Sequence, residues 1–283
     1  MNKFLRWTGI SLATLAGLIL VAYLAVYVMS ERELNRIYPA RLAAISVPSD
    51  AESIAEGHRL AITRGCFTCH GNALEGNVLF DQPILGTLVA PNLGGITQKY
   101  DDATLAGVIR NGVRPDGHSM MVMPSMALGA LDDPDLGRLI AYLHTVPAQQ
   151  GPAASVTLGP LGRVGIVSGR FKTMAQTMLD AVPPPPATNK DAELGRYVAR
   201  SGCAECHGTD LRGADHGEFV APTLQIVNAY GPEDFARLMR SGIALGGRSL
   251  GTMTKFAKVN LSHLTDAEVA SLYAYLHALP DNR

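Results

Sequence analysis

Cysteine is nearly absent from this sequence of 283 residues: there are four, far too few for a disulfide scaffold in a chain of this size. Aromatic residues make up 6%, so packed cores must be filled by Leu, Val, Ile, Ala and Met, or by a bound group. Charged residues amount to 17% against 47% hydrophobic ones, the reverse of the balance that keeps a chain disordered. Neither sign dominates, with 24 Lys and Arg against 25 Asp and Glu. The basic excess that nucleic-acid binding requires is missing, so no nucleic-acid partner is expected. No stretch alternates with period two, and no strand is expected either.

What is present begins with a long apolar run. Trp7 to Met29 carries no charge over 23 residues. As a helix this is roughly 34 Å at about 1.5 Å per residue, enough for a hydrocarbon core of about 30 Å. Lys3 and Arg6 precede it, and the positive-inside rule then leaves the N-terminus in the cytoplasm. Residues 1–34 are expected to be a single-pass anchor in membrane lipid, in the inner (cytoplasmic) membrane, with the rest of the chain in the periplasm. A cleaved signal is the alternative, although its core is usually about 7–15 residues. Either reading exports the remainder.

The remainder is a duplication. Gly65-Cys66-Phe67-Thr68-Cys69-His70-Gly71 returns as Gly202-Cys203-Ala204-Glu205-Cys206-His207-Gly208, at an offset of 207 − 70 = 137 residues. Val89-Ala90-Pro91-Asn92-Leu93 returns as Val220-Ala221-Pro222-Thr223-Leu224, Ile109-Arg110-Asn111-Gly112 as Met239-Arg240-Ser241-Gly242, and Ala141-Tyr142-Leu143-His144 as Ala274-Tyr275-Leu276-His277. Such a period is too long for a solenoid and marks tandem domains: one over 48–148, a second over 190–283. The joining segment, 149–189, ends in Pro183 to Pro186, which predicts a stiff polyproline spacer. A short helix around Arg170 to Leu179 is also expected there. Each copy reads as helical. In copy one a helix starts at a Ser49–Glu52 capping box, another follows Asp101, and a last one begins at Asp133-Pro134; in copy two the starts are Gly231-Pro232 and a Thr265–Glu268 capping box.

Cys-x-x-Cys-His is the attachment signature of c-type haem. Two intervening residues let one helical turn present both sulfurs along one haem edge, where they form thioethers with the vinyl groups. The next residue, His70 or His207, then reaches the iron as neutral imidazole. A thioredoxin-type pair would sit in a βαβ setting, which the pattern lacks. A zinc site would need the four thiolates of both copies round one ion and would not require a His after each pair. Two haem c groups are therefore the expected cofactors, attached through Cys66 and Cys69 and through Cys203 and Cys206.

On these motifs, with the Pro-x-Leu that follows and the Tyr-Leu of the final helix, each copy resembles a class I cytochrome c domain. The pair resembles membrane-anchored dihaem cytochromes of bacteria. The resemblance covers most of the chain beyond the anchor and implies an all-α fold: two tandem domains of this kind after a transmembrane helix. It further implies a Met sixth ligand from the loop before the last helix. Met123, in Met123-Pro124-Ser125-Met126, fits that pattern in copy one, with Met120 and Met121 in reserve. Met253 is the candidate in copy two, where Thr254 replaces the usual Pro and three extra residues precede the last helix (264 − 253 = 11 against 131 − 123 = 8). The carbonyls of Pro91 and Pro222 are expected to accept the proximal imidazole N–H, and Leu93 and Leu224 to line the haem. Arg110 and Arg240 are candidates for the propionates, since guanidinium suits carboxylates, with a solvated helix end as the alternative. His118 or His216 would give bis-His ligation instead, while His58 and His263 read as surface residues. Met239 reads as core filler.

His with Met is the electron-transfer ligand set. The expectation is a membrane-tethered carrier, or the cytochrome subunit of a respiratory or dehydrogenase complex, with redox proteins as partners and no substrate of its own. The alternatives are a dihaem peroxidase-like enzyme with one open iron position and a ligand sensor.

Overall fold

The computed structural model describes residues 3–217 and 219–280. Residues 1–2 of the expected anchor and 281–283 of the second copy lie outside the described residues. The apolar run forms part of one helix, α1 (Lys3–Leu34). From Lys3 to Ala25 every residue is exposed, and the helix is long and apolar enough to cross a membrane.

Copy one contains helices α2 (Ala51–Thr63), α3 (Cys66–His70), α4 (Leu93–Thr97), α5 (Asp102–Asn111), α6 (Ser125–Leu128) and α7 (Asp133–Thr145), with strands β1 (Asn77–Gln82) and β2 (Gly86–Ala90) between α3 and α4. The joining segment carries β3 (Ser155–Leu158), α8 (Pro160–Val167) and α9 (Met174–Leu179). Copy two contains α10 (Glu193–Val198), α11 (Ala204–His207), strands β4 (Ala214–Asp215) and β5 (Val220–Ala221), then α12 (Pro232–Ser241), α13 (Thr252–Val259) and α14 (Asp266–His277). The molecule is mostly helical, as the patterning predicts.

Short polar side chains start these helices by satisfying free backbone N–H groups. Asp50 accepts from the amide of Ser53, Asp101 from Thr104 and Asp132 from Asp135. The first of these corrects the expected Ser49 box: the cap is one residue later. The Thr265–Glu268 box is present as expected. The middle helices stop at Gly112 and Gly242, both left-handed (φ 62° and 69°), a conformation that costs glycine little.

In each copy the first and last helices cross at a glycine. A Cβ on Gly57 would lie 1.9 Å from the carbonyl oxygen of Arg138, and one on Gly195 would lie 1.9 Å from that of Ser271. Around the first crossing Leu60, Leu136, Leu139 and Ile140 are fully buried; around the second, Phe235, Leu272, Tyr275 and Leu276 are.

Two sequence expectations need correction. Strands exist: β1, β2 and β3 form an antiparallel sheet and β4 pairs with β5. They escape period-two patterning because they are short and only partly covered; four of the six β1 residues are exposed. The joining segment is also more than a stiff proline spacer, and the short helix expected around Arg170 to Leu179 is α9. Its first half adds β3 to the sheet of copy one, and α9 docks through Ala175, whose amide donates to Ser119 Oγ at 2.8 Å. The proline run is held on copy two, where the Pro185 carbonyl accepts from Arg196 Nε (2.9 Å) and Tyr275 Oη (2.7 Å).

The copies meet in a pseudo-two-fold manner. The end of α2 faces the segment Leu261–His263 of copy two, and α6 of copy one faces the turn Ala199–Cys203. Asn260 Nδ2 donates to the Ile62 carbonyl at 2.7 Å. Tyr197 Oη donates to Asp135 at 2.5 Å. Arg59 holds the Glu268 carboxylate with Nη1 and Nη2, at 2.7 and 3.1 Å. Burial pushes the Glu268 carboxyl up, but the Arg59 bonds, the Thr265 amide and the charges of Arg59 and Arg64 hold it below its ordinary value. A depressed carboxyl contributes stability above its free value of 4.5 that is lost as pH falls through the folded value. Glu268→Gln is expected to cost about 1–3 kcal/mol, the scale of hydrogen bonds to charged groups. Urea midpoints check this: the gap between wild type and variant should be present at neutral pH and should close as the solution is acidified.

Candidate functional site

The two cysteine motifs are built differently on the way in. In copy one α2 ends at Thr63 and the chain turns through Gly65 (φ 75°) before α3. Copy two has one residue fewer between the crossing glycine and the first cysteine (203 − 195 = 8 against 66 − 57 = 9). It runs without a break through a π turn, Ala199–Cys203, into α11. Both routes deliver a helical turn that carries the second Cys and the His. All four cysteines are half-buried free thiols. Burial, with the neighbouring Cys69, pushes the Cys66 thiol up to about 12, and burial does the same for Cys203. Burial also raises Cys69 and Cys206, with Glu205 adding to it. Among the described residues no three metal-ligating side chains converge, so the pairs do not build a four-thiolate zinc site. Neutral, unbridged thiols half-buried in pairs fit thioether attachment.

Each histidine is locked by the proline that follows its motif. His70 Nδ1 lies 2.8 Å from the Pro91 carbonyl, and His207 Nδ1 lies 2.8 Å from that of Pro222. A carbonyl only accepts, so Nδ1 carries the proton and donates. Nε2 is left with its lone pair, the state an iron ligand needs. Burial pushes both imidazoles below their ordinary value, against the carbonyl bond that raises them, and favours the neutral form.

The loop between His and Pro carries a feature not expected from the sequence. Among the described residues, Leu74 (φ 58°) and Leu211 (φ 64°) are the non-glycine residues in the left-handed region, and both are 1% exposed. A bulky side chain there costs on the order of 1–3 kcal/mol and persists only where its surroundings fix it. They do so here: Leu74 and Leu211 accept from the amides of Leu93 and Leu224 at 2.9 Å, while Gly76 and Gly213 donate to the carbonyls of His70 and His207 at 2.8 Å. The strained turn thus ties the histidine to the Pro-x-Leu segment. A sequence signal for it exists in the repeat of Leu74-Glu75-Gly76 as Leu211-Arg212-Gly213.

Other candidates divide. Cys66, Leu93 and Met123 pack on the apolar core of copy one; Cys203, Leu224 and Met253 belong to that of copy two. Met123 precedes the short α6, whereas Met253 lies in the first turn of α13. Thr254 fills the place of Pro124: its hydroxyl accepts from the Leu250 amide (2.7 Å) and donates to the Gly242 carbonyl (2.6 Å). Met239 is buried on α12. Arg110 binds Asp133 (2.5 Å) and the Leu131 carbonyl (3.1 Å). Arg240 binds Asp266 (2.5 Å) and the carbonyls of Ser262 and Leu264. Both tie the middle helix to the start of the last one. His216 Nε2 is bonded to the Cys206 carbonyl (2.8 Å) and its ring stacks on Phe219. His144 pairs with Asp102 at 2.6 Å, and His58 and His263 are exposed.

Two charged side chains lie close to the motifs of both copies and were not signalled by the repeat. Arg64 is 6% exposed, bonds Thr63 Oγ1 at 3.0 Å, and has Nε and Nη2 without a protein partner. It acts on both Cys66 and Cys203. Glu205 acts on Cys69 and Cys206, and burial pushes its carboxyl up to about 7.

A family model described as cytochrome c matches residues 54–147 and 192–280, well over half of the chain. This chain belongs to the cytochrome c family. It is similar to the fructose dehydrogenase cytochrome subunit of Gluconobacter japonicus, with 26% identity over 256 residues, 81% of this chain and 53% of that protein. The chain thus spans about half the length of the curated relative it matches. As a cytochrome c it binds haem c covalently and takes part in electron transport, and its apolar N-terminal helix is consistent with a membrane anchor.

Proposed function

We propose that this cytochrome holds two haem c groups, one in each of two domains (48–148 and 190–283), and works as a periplasmic electron carrier tethered to the inner membrane by α1. The observation that carries this reading is the duplicated lock: in both copies a neutral imidazole donates to a proline carbonyl at 2.8 Å and keeps Nε2 free. Haem iron supplies one-electron chemistry by cycling between its ferrous and ferric states. The chain's residues do the rest. Cys66 and Cys69, and Cys203 and Cys206, fix the ring. His70 and His207 are the proximal ligands, and Met123 and Met253 the distal ones. Leu93 and Leu224 form apolar wall. Arg110 and Arg240 brace the helices behind the site through Asp133 and Asp266 and are proposed to act on the propionates only through that bracing.

With His70 and Met123 holding one iron and His207 and Met253 the other, no place would be left for a substrate, so the chain would transfer electrons rather than catalyse a reaction of its own. The similarity to a dehydrogenase cytochrome subunit supports a membrane-associated dehydrogenase as the electron donor. Haem per chain, measured by the alkaline pyridine spectrum, tests the count, with two expected. Carbon monoxide added to the reduced protein tests the ligand set. Slow or absent binding at both centres is expected; rapid binding at either would mean an open position and peroxidase-like chemistry there.

A further inference from the structure

Helix α8 packs beside the membrane helix at one particular height. Burial along α1 begins at Val26 and is complete at Ser30, where the charge-free run ends. Arg163 of α8 stacks over the Tyr27 ring at 4.0 Å, donates to Ser30 Oγ at 2.8 Å and pairs with Glu31 at 2.8 Å. Below this level α1 is bare and apolar; above it come Glu31, Arg32 and Glu33. Any element seated on Tyr27 to Glu31 of a membrane-spanning α1 therefore sits at the height of the lipid headgroups, where Tyr and Arg are favoured.

The face of α8 turned away from the protein is apolar. Leu161 is 54% exposed and Val164 46%; Ile84, whose carbonyl accepts from the Leu161 amide at 3.0 Å, is 60% exposed. The adjoining positions are committed to the protein, since Gly162 sits against the Leu85 carbonyl and Gly165 against the ring of Phe171. Three large apolar side chains about half exposed beside a membrane helix lose their contact with water by shallow insertion in the manner of an interfacial helix.

We propose that α8 and the turn at Ile84 form a second, peripheral membrane contact, with Ile84, Leu161 and Val164 inserted at the headgroup boundary of the outer face of the bilayer. This inference rests on α1 spanning the membrane. Its consequence is orientation: α8 follows directly on β3 of the copy-one sheet and is bonded to its β1–β2 turn, so copy one lies against the bilayer while copy two stands farther out.

The test uses the full, haem-loaded chain in nanodiscs of phosphatidylcholine and phosphatidylglycerol doped with a lipid that carries a photoactivatable diazirine, with adducts located by peptide mass mapping. Adducts are expected on α1 and on 155–168. In the double variant Leu161→Glu, Val164→Glu the label on 155–168 is expected to drop at least fivefold while that on α1 is unchanged. Label on α1 with none on 155–168, or equal label on 155–168 in wild type and variant, would overturn the proposal and leave the anchor standing. No label on either segment would overturn the anchor reading and the proposal with it.

Discussion

Replacing Cys203 and Cys206 together by serine is expected to leave one haem per chain and to unfold most of copy two. The reason lies in what fills its centre. The copy is made of helices of four to twelve residues, and isolated helices of that length are marginal. Cys203, Leu224 and Met253 all pack on one apolar cluster, which a bound ring would complete. A domain of this size has only about 5–15 kcal/mol of stability in hand. Leaving a ring-sized void costs on the order of 24 cal/mol per Å³ of cavity, enough to consume it. Copy one is better supported, by the three-stranded sheet and by α9, so the matching Cys66 and Cys69 pair should lose haem with less unfolding. Haem per chain and limited proteolysis check both halves: new cleavage within 190–280 is expected for the Cys203, Cys206 variant. One haem with an intact, protease-resistant copy two would show that the fold does not depend on the group.

The parts of this molecule that were legible in the sequence are those fixed by local chemistry. The Cys-x-x-Cys-His spacing, the proline that follows, and the capping residues Asp101 and Thr265 each act within a few residues or through a repeated motif. The duplication was legible too, and the family model matches two separate segments. What was not legible depends on distant partners. The strands of copy one form because β2 is covered on both edges, by β1 and β3, and no single strand advertises that. Arg110 and Arg240 read as propionate partners or solvated helix ends, and their bonds to Asp133 and Asp266 are made with residues 23 and 26 positions away. Arg64 is buried and Glu205 half-buried beside the cysteines of both copies, and Ser201 and Thr68, their counterparts in the repeat, gave no hint of charge at those places.

The departure of copy two around its methionine has a structural explanation of the same kind. The three extra residues lengthen the connection to α14 into α13 and the turn Leu261–His263. That added length is what reaches copy one: a Cβ on Gly65 would meet the Phe256 ring at 3.3 Å, and Asn260 bonds the Ile62 carbonyl. The shorter α6 makes the reciprocal contact with the π turn. The insertion therefore builds the interface between the copies, and Thr254, by bonding both Leu250 and Gly242, holds the loop as a proline would.

On that reading Met253 remains free to act as a ligand, and Met253→Ala is expected to lower the reduction potential of one haem by about 0.1–0.3 V. This is a fraction of the roughly 0.8 V over which axial ligands move haem potentials, and its sign follows because Met favours the ferrous state. The near-infrared band of Met-ligated ferric haem should fall to half its intensity, and the same centre should become open to carbon monoxide. Met123→Ala should do the same to the other haem. Met239→Ala is the control. That side chain is 4% exposed on α12 and packs in the core, so its loss should cost about 2–5 kcal/mol of stability and leave both potentials and the band in place. Redox titration of the three variants separates the outcomes, because a ligand changes the potential of its own centre whereas a packing residue changes the urea midpoint. An unshifted potential in Met253→Ala, with the band retained, would remove Met253 from the iron and make the second centre of this cytochrome the one to reassign.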